Sequence, residues 1–212
     1  MVLVSMTFPE GCSQGAVKAE FSDGSSLLLG TYYLPDCEKW TAFSAAEREL
    51  TPAEEEDFLF ASACYRAEKS ALRLIARAEQ CSLGLMSKLE HRGYSEAVAK
   101  RVVSRFTDNN LLDDRRYAEI WIRSRLGSKK ALGPRWLLAA LGKKGIDRDS
   151  SKKALEKVLD YETEHAYLIK YLEMAKQDRS VSPGKRGVWS LRAQLKYAGF
   201  SPVTLDRYFE QE

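Results

Sequence analysis

The chain has 212 residues, of which 44% are hydrophobic and 30% are charged. This composition excludes collagen-like, mucin-like and wholly disordered proteins, and it leaves enough apolar material to fold without metals or disulfides. The net charge of +3 conceals two regions of opposite sign. Residues 1–60 hold three basic and eleven acidic residues, a net charge of −8, whereas residues 61–212 hold 30 and 19, a net charge of +11. We therefore expect a body that faces a polyanion, with an acidic N-terminal segment.

The N-terminus and the cysteines indicate a cytosolic protein. No stretch approaches the ~18 to 20 apolar residues of a membrane span, and residues 1–10 lack the basic leader and apolar region of a secretory signal. The cysteines have no C-x-x-C spacing and only two histidines accompany them, so we expect buried thiols rather than a zinc site or disulfides. The cysteines are Cys12, Cys37, Cys64 and Cys81.

The N-terminal segment, residues 1–43, predicts a small sheet. Apolar and polar residues alternate over 17–21, a turn containing Gly24 follows, and an apolar run resumes over 26–33, which is the pattern of a β-hairpin. Residues 2–8 are a candidate third strand, which would stabilise the hairpin. We expect two or three strands.

From about residue 44 the sequence predicts helices. Ser44 and Thr51 each begin a capping box, and Pro52 follows Thr51 at a first helical position. The run from about 58 to 79 contains no Gly or Pro and is rich in strong helix formers. It therefore predicts a long helix.

An internal repeat organises the rest of the chain. Residues 85–95, 137–147 and 191–201 align at offsets of 52 and 54 residues. Each copy has Leu at i and i+4, then Gly four residues later as a left-handed cap, then an apolar residue and a new N-cap. The glycines and N-caps are Gly93 with Ser95, Gly145 with Asp147, and Gly199 with Ser201.

The predicted fold is mainly α, with three tandem three-helix repeats that form an elongated, curved body behind the N-terminal hairpin or sheet. We expect connecting helices and the first repeat over 44–110, the second repeat over 111–160 and the third over 161–212. The first helices of the three repeats are expected within about 58–79, at 115–126 and at about 164–176.

The first helix of the second repeat contains the most specific pattern. Asp113 and Asp114 stand at its start, where carboxylates cap free backbone N–H groups. Apolar and small residues at i, i+3, i+4 and i+7 predict a buried stripe, with Trp121 in the core rather than on a nucleotide-stacking surface. The stripe is Tyr117, Ile120, Trp121 and Ser124.

The second repeat resembles the bacterial RecX family of recombination regulators. The resemblance rests on five motifs at family-like separations, and it extends over roughly residues 60–212, while the hairpin is similar to an extension of some members. The motifs are Leu-Asp-Asp at 112–114, Tyr-Ala at 117–118, Arg-x-Arg-Leu at 123–126, Gly-Pro-Arg at 133–135 and Lys-Gly-Ile at 144–146. One departure from the family is an extra lysine pair in the linker 127–132. Another is the apolar run 136–138, which leaves open whether that helix face is exposed to a partner or buried.

The resemblance implies a regulator that binds the RecA filament on single-stranded DNA, lies in its groove and suppresses strand exchange, ATP hydrolysis and co-protease activity, within DNA repair and the SOS response. It also implies intrinsic DNA binding. The charged residues on the family's motifs are the implied contacts: Arg115, Arg116, Arg123, Arg125, Arg135, Lys143 and Lys144. Two loops rich in Gly, Ser and basic residues, 127–133 and 177–187, add Lys129, Lys130, Lys185 and Arg186 as candidates.

The residues themselves indicate a polyanion-binding class without identifying RecA. Residues 111–155 hold twelve basic and five acidic residues, and basic helices in tandem can follow a phosphate backbone. A stand-alone helical-repeat protein that binds single- or double-stranded DNA, a scaffold for an acidic protein, and simple solvated helix faces all remain alternatives. An enzyme is the weakest interpretation, because nucleotide-binding, zinc-protease and hydrolase motifs are absent and adjacent Asp113 and Asp114 point ~100° apart. We expect a monomer without catalytic activity, cofactor or membrane partner.

Overall fold

The structure, a computed structural model, describes residues 1–7, 15–41, 47–130, 132–177 and 190–210. In these residues a small antiparallel sheet near the N-terminus precedes a series of helices, which confirms the predicted fold class. The chain divides into two compact units. The first consists of Met1–Gln80 with Gly84–Leu112, and the second of Cys81–Leu83 with Asp113–Glu212.

The sheet of the first unit has four strands in the order β3-β2-β1-β4, with antiparallel neighbours. The hairpin and the third strand are confirmed, whereas β4 was not predicted; it has two residues and pairs with the free edge of β1. The strands are β1 (Val2–Thr7), β2 (Ala16–Phe21), β3 (Ser26–Gly30) and β4 (Arg48–Glu49).

The second hairpin strand ends earlier than predicted. Thr31–Tyr33 form a 3-10 turn instead of continuing to residue 33. The turn directs two phenol groups to one buried carboxylate: the hydroxyls of Tyr32 and Tyr33 donate to Glu68 at 3.1 and 2.7 Å. Burial, followed by the bond to Glu68, raises the pKa of Tyr33, so the phenol is a neutral donor at physiological pH.

The first unit also contains a long helix that packs against β3. The predicted capping box at Thr51 is confirmed, and the helix begins at Pro52. The helix ends at Ile75, so both of its ends lie several residues before those of the predicted helix 58–79. Ser44 lies outside the described residues. The helices are α1 (Cys37–Thr41), α2 (Pro52–Ile75), α3 (Ser82–Glu90), whose first residues belong to the second unit, and α4 (Glu96–Asp108).

The second unit contains the remaining helices around two apolar clusters. These helices are α5 (Asp114–Leu126), α6 (Pro134–Gly142), α7 (Arg148–Val158), α8 (Tyr161–Gln177), α9 (Leu191–Ala198) and α10 (Pro202–Glu210). One cluster joins α5, α6 and α7 and includes Ile122, Leu137 and Leu141; the other joins α8, α9 and α10 and includes Leu168 and Leu195.

The repeated glycine turns are confirmed. Gly93, Gly145 and Gly199 have φ values of +87°, +81° and +98°, the left-handed region that residues with a side chain rarely adopt. The next helix begins with a capped N-terminus in each case: the side chains of Ser95, Asp147 and Ser201 accept hydrogen bonds from the backbone N–H three residues ahead.

The predicted buried stripe on α5 is correct at Trp121 and wrong at two of its other positions. Ile120 is 46% exposed and Ser124 is exposed, whereas Ala118 and Ile122 are fully buried. The helix is turned by about one position, because it packs against α7. Trp121 belongs to the predicted stripe and borders the observed buried strip of Ala118 and Ile122. It is 9% exposed, so its predicted core position is confirmed.

The cysteine prediction is confirmed where the structure describes it. Cys64 and Cys81 are buried free thiols, and burial raises the pKa of Cys64 to about 12. Cys12 and the Cys37 side chain lie outside the description. Among the described residues, no group of three or more His, Cys, Asp or Glu side chains could hold a metal ion. No helix in the described ranges is long and apolar enough to cross a membrane.

Candidate nucleic-acid interface

Helix α5 displays two different stripes of side chains. Its buried strip, Ala118 and Ile122, is flanked on one side by residues 115, 119 and 123 and on the other by residues 117, 121 and 125. A spacing of four places each set along one line on the helix. Arginines occur in both stripes, but one stripe is centred on a glutamate and the other on a tryptophan.

The first stripe forms what we term the Glu119 cluster: Glu119, Arg115, Arg123 and Lys157. The Lys157 Nζ atom, from α7, lies 2.8 Å from Glu119 Oε2, and the two guanidinium groups approach the carboxylate at 3.7 and 3.8 Å. The Glu119 side chain is only 10% exposed, whereas each cation is more than half exposed. The buried carboxylate therefore orders three cations and partly neutralises them.

The second stripe forms the Trp136 cluster: Trp136, Trp121, Tyr117, Arg125 and Lys144. The indoles of Trp121 and Trp136 stack, with centroids 6.3 Å apart and an interplanar angle of 16°. The Arg125 guanidinium carbon lies 5.1 Å from the Trp121 ring centroid, and the Lys144 Nζ lies 5.8 Å from the rings of both Tyr117 and Trp121. Within the described ranges, neither cation forms a salt bridge with a carboxylate.

The apolar run 136–138 divides between core and solvent. Leu137 is fully buried, whereas Trp136 is 49% exposed. Successive residues on a helix point ~100° apart, so both orientations follow from one docking of α6. The question that the sequence left open is therefore resolved for Trp136, which faces solvent.

The start of α6 is held by close backbone packing. A Cβ at Gly133 would lie 2.6 Å from the Ala198 carbonyl oxygen, and a Cβ at Gly199 would lie 2.6 Å from the Arg135 backbone nitrogen. The Arg135 guanidinium carbon lies 4.5 Å from the Tyr197 ring centroid. These contacts fix the helix turn that carries Arg135 and Trp136.

Of the two aspartates predicted to cap the start of α5, Asp113 does so, and Asp114 accepts a hydrogen bond from a different helix. Asp113 accepts a hydrogen bond from the Arg116 N–H at 3.0 Å. Asp114 caps another segment of the same unit, because its Oδ1 accepts from the Ser82 N–H at 2.7 Å. At the start of α7, a hydrogen bond from the Ser150 backbone N–H holds the pKa of Asp147 below its usual range, so this capping carboxylate is ionised at neutral pH.

The other predicted contact residues are more scattered. Arg116, Lys129, Lys130 and Lys143 are exposed, outside both clusters. Lys185 and Arg186 lie outside the described residues. The contacts predicted from the sequence do not include Lys157 or Trp136. The apolar run 136–138, which departs from the family pattern, was the available signal for Trp136. No local sequence feature indicated that Lys157 pairs with Glu119.

These features define a mostly helical protein with cationic and aromatic clusters on the second of its two compact units. The family model described as RecX, second three-helix domain, matches residues 113–155, which contain most of both clusters. The chain belongs to the RecX family of regulatory proteins.

Individual relatives support this assignment. A regulatory protein RecX of Treponema pallidum (strain Nichols) is 31% identical over 148 residues, or 70% of this chain and 86% of that protein. A regulatory protein RecX of Mycobacterium sp. (strain KMS) is 40% identical over 91 residues, or 42% of this chain and 49% of that protein. A crystal structure of a regulatory protein RecX matches 99% of this chain and 98% of its own with a TM-score of 0.69 at 17% identity, and thus shares the fold.

Proposed function

We propose that this protein is a non-enzymatic regulator that binds the RecA filament on single-stranded DNA and inhibits its recombinase, ATPase and co-protease activities. It also binds DNA through the basic faces of its second unit. The proposed contacts are the residues predicted from the sequence, extended by Lys157 and Trp136.

The observation that carries this proposal is the exposure of cations along α5 and α6 and in the turn after α6. Arg125, Arg135 and Lys144 lie beside aromatic rings. None of the three forms a salt bridge with another described residue. Cations without a local counter-charge are available to phosphates, and they supply most of the sequence-independent affinity for DNA. Membership of the RecX family supports a regulatory role.

The second candidate function is stand-alone DNA binding without RecA specificity. The same cations favour it, because phosphate contacts do not require a protein partner. The acidic N-terminal region favours the filament instead, since its net charge of −8 repels DNA unless a protein surface meets it.

The test is the single-stranded-DNA-dependent ATPase of the RecA from the same source, with this protein titrated at substoichiometric amounts. The titration is repeated with a large excess of extra single-stranded DNA. Inhibition that survives the extra DNA supports a filament-directed regulator. Inhibition that disappears in step with added DNA supports the stand-alone binder, and an unchanged ATPase rate in both series contradicts the proposal.

A paired set of variants connects the assay to the surface. Replacing Arg125 and Lys144 with Ala is expected to weaken inhibition. The control is Arg207→Ala, which removes an arginine that is paired with Glu162 and lies outside both clusters. Equal inhibition by both variants would remove the Trp136 cluster from the proposed interface.

A further inference from the structure

We propose that the exposed face of Trp136 is a stacking surface for an unpaired base of single-stranded DNA, with Arg125 and Lys144 contacting neighbouring phosphates. This inference rests on the proposed function and deepens it, because it assigns base stacking to one part of the surface and names single-stranded DNA as the ligand.

The first argument is the exposure of Trp136. A Trp contributes more apolar area than most side chains, yet Trp136 lies on the solvent side of α6, one position before the buried Leu137. It is 49% exposed, while its stacking partner Trp121 is 9% exposed. One indole is therefore a buried support, and the other presents an aromatic surface to solvent.

The second argument is rigidity. The two indoles are nearly parallel, and the start of α6 is confined by the close approaches at Gly133 and Gly199. A side chain that is already fixed loses little conformational freedom when a ligand stacks on it. Trp136 is thus better prepared for stacking than an exposed aromatic on a mobile segment.

The third argument is charge. Arg125 and Lys144 lie within 5.8 Å of the Trp121 ring centroid, and their charges have no carboxylate partner among the described residues. An aromatic surface beside unpaired cations is the combination that binds single-stranded nucleic acid, where bases stack and phosphates are neutralised. A duplex keeps its bases stacked on one another and offers the cations only phosphates.

A second exposed aromatic of this unit lacks these features. Tyr161 is 46% exposed and also lies beside an arginine, since the Arg207 guanidinium carbon is 4.9 Å from its ring centroid. Arg207, however, is paired with Glu162, and Tyr161 lines a recess with Glu156, Asp160 and Glu164. Three carboxylate side chains share this recess with Tyr161, so this residue serves as the matched control.

The experiment measures binding of the full chain to three labelled ligands of equal length by fluorescence anisotropy. They are an oligothymidylate, the same backbone with abasic sites in place of the bases, and a duplex. The variants are Trp136→Ala, Trp136→Phe and the control Tyr161→Ala, and each is first shown by circular dichroism and thermal melting to be folded.

We expect Trp136→Ala to weaken oligothymidylate binding by about 5- to 150-fold, the range that corresponds to the stacking of one base on an aromatic ring. Duplex binding should change less than twofold, and Trp136→Phe should retain most of the affinity. The wild-type protein should lose a similar factor on the abasic strand, whereas Trp136→Ala should bind the abasic and normal strands equally. Tyr161→Ala should resemble the wild type on all three ligands.

Three results would overturn the inference. The first is wild-type affinity of Trp136→Ala for oligothymidylate. The second is an equal loss on the normal, abasic and duplex ligands, which would show that the indole supports the fold or the charges. The third is that Trp136→Ala no longer inhibits the RecA ATPase but keeps its affinity for single-stranded DNA, which would assign this face to a protein partner.

The ATPase assay also separates failure of this inference from failure of the proposed function. Base-dependent binding through Trp136 without any effect on RecA would support stacking and contradict the filament role. Inhibition of RecA by the wild type, with no dependence on Trp136 or on the bases, would support the filament role and contradict base stacking.

Discussion

The Glu119 cluster and the Trp136 cluster lie on either side of the same buried strip of α5, and both contain arginine and lysine. In the first, a carboxylate that is 10% exposed holds three cations. In the second, aromatic rings carry two cations that have no carboxylate partner among the described residues. The comparison shows that a count of positive charges in the sequence does not measure the charge available to a ligand, since partners distant in sequence decide it.

The largest expected effect comes from the packing beneath the Trp136 cluster. Gly199→Ala places a Cβ 2.6 Å from the Arg135 nitrogen and forces a left-handed φ of +98° on alanine. We expect a loss of about 3 kcal/mol or more in the free energy of unfolding, from backbone strain together with overpacking. Binding of single-stranded DNA should also fall at temperatures where the variant is folded, because the turn that carries Trp136 shifts.

The matched control for this variant is Gly93→Ala in the first unit. Gly93 has a φ of +87°, but a Cβ there would meet no atom within 4 Å. Only the left-handed strain remains, about 1–2 kcal/mol. Chemical denaturation measures both variants, and an equal loss in the two would show that the close approach to Arg135 contributes nothing.

These turns also show how much of the fold was predictable. A left-handed glycine followed by a new N-cap is a local signal, so Gly93, Gly145 and Gly199 were found from the sequence alone. Strand β4 was not found, because two residues carry no periodicity and their conformation depends on the edge of β1. The limits of α5 were predicted within one residue, yet its buried side was misplaced, because Ile120 gives no local sign that α7 packs against Ala118 and Ile122.

The candidate interface was predictable in composition but not in arrangement. The basic motif residues from Arg115 to Lys144 were all candidates, and all of them are exposed or half-buried. Their division into two clusters depends on Lys157, which is 38 residues from Glu119, and on the stacking of Trp136 against Trp121. Such pairings arise from helix packing, which repeats and spacing do not specify.

The second expected effect tests the Glu119 cluster. Glu119→Gln keeps the shape of the side chain but removes the negative charge that faces Arg115, Arg123 and Lys157. We expect a loss of about 1–2 kcal/mol in the free energy of unfolding, less than for a fully buried pair because the cations are half exposed. Duplex DNA binding should at the same time become tighter at low salt, since the released cations are available to phosphates.

Glu162→Gln is the control for this charge change. Its side chain is 74% exposed and pairs with Arg207 at 3.0 Å, so stability should change by no more than about 0.5 kcal/mol. Thermal unfolding and salt-dependent duplex titrations check both variants. Unchanged duplex affinity in Glu119→Gln would mean that the three cations do not contact DNA.

The smallest expected effect compares the cations of the two clusters directly, through the slope of log affinity against log salt for single-stranded DNA. The double variant Arg125→Ala with Lys144→Ala should flatten the slope by about 1.4, or ~0.7 for each phosphate that the protein no longer neutralises. Arg115→Ala with Arg123→Ala should flatten it less, because these guanidinium groups are directed toward Glu119 and must leave it to reach a phosphate. In a Glu119→Gln background this restraint is gone, and the two double variants should become more nearly equivalent. Equal slopes for the two pairs with Glu119 present would show that the carboxylate does not restrain its arginines. The two clusters would then differ in DNA binding only through Trp136.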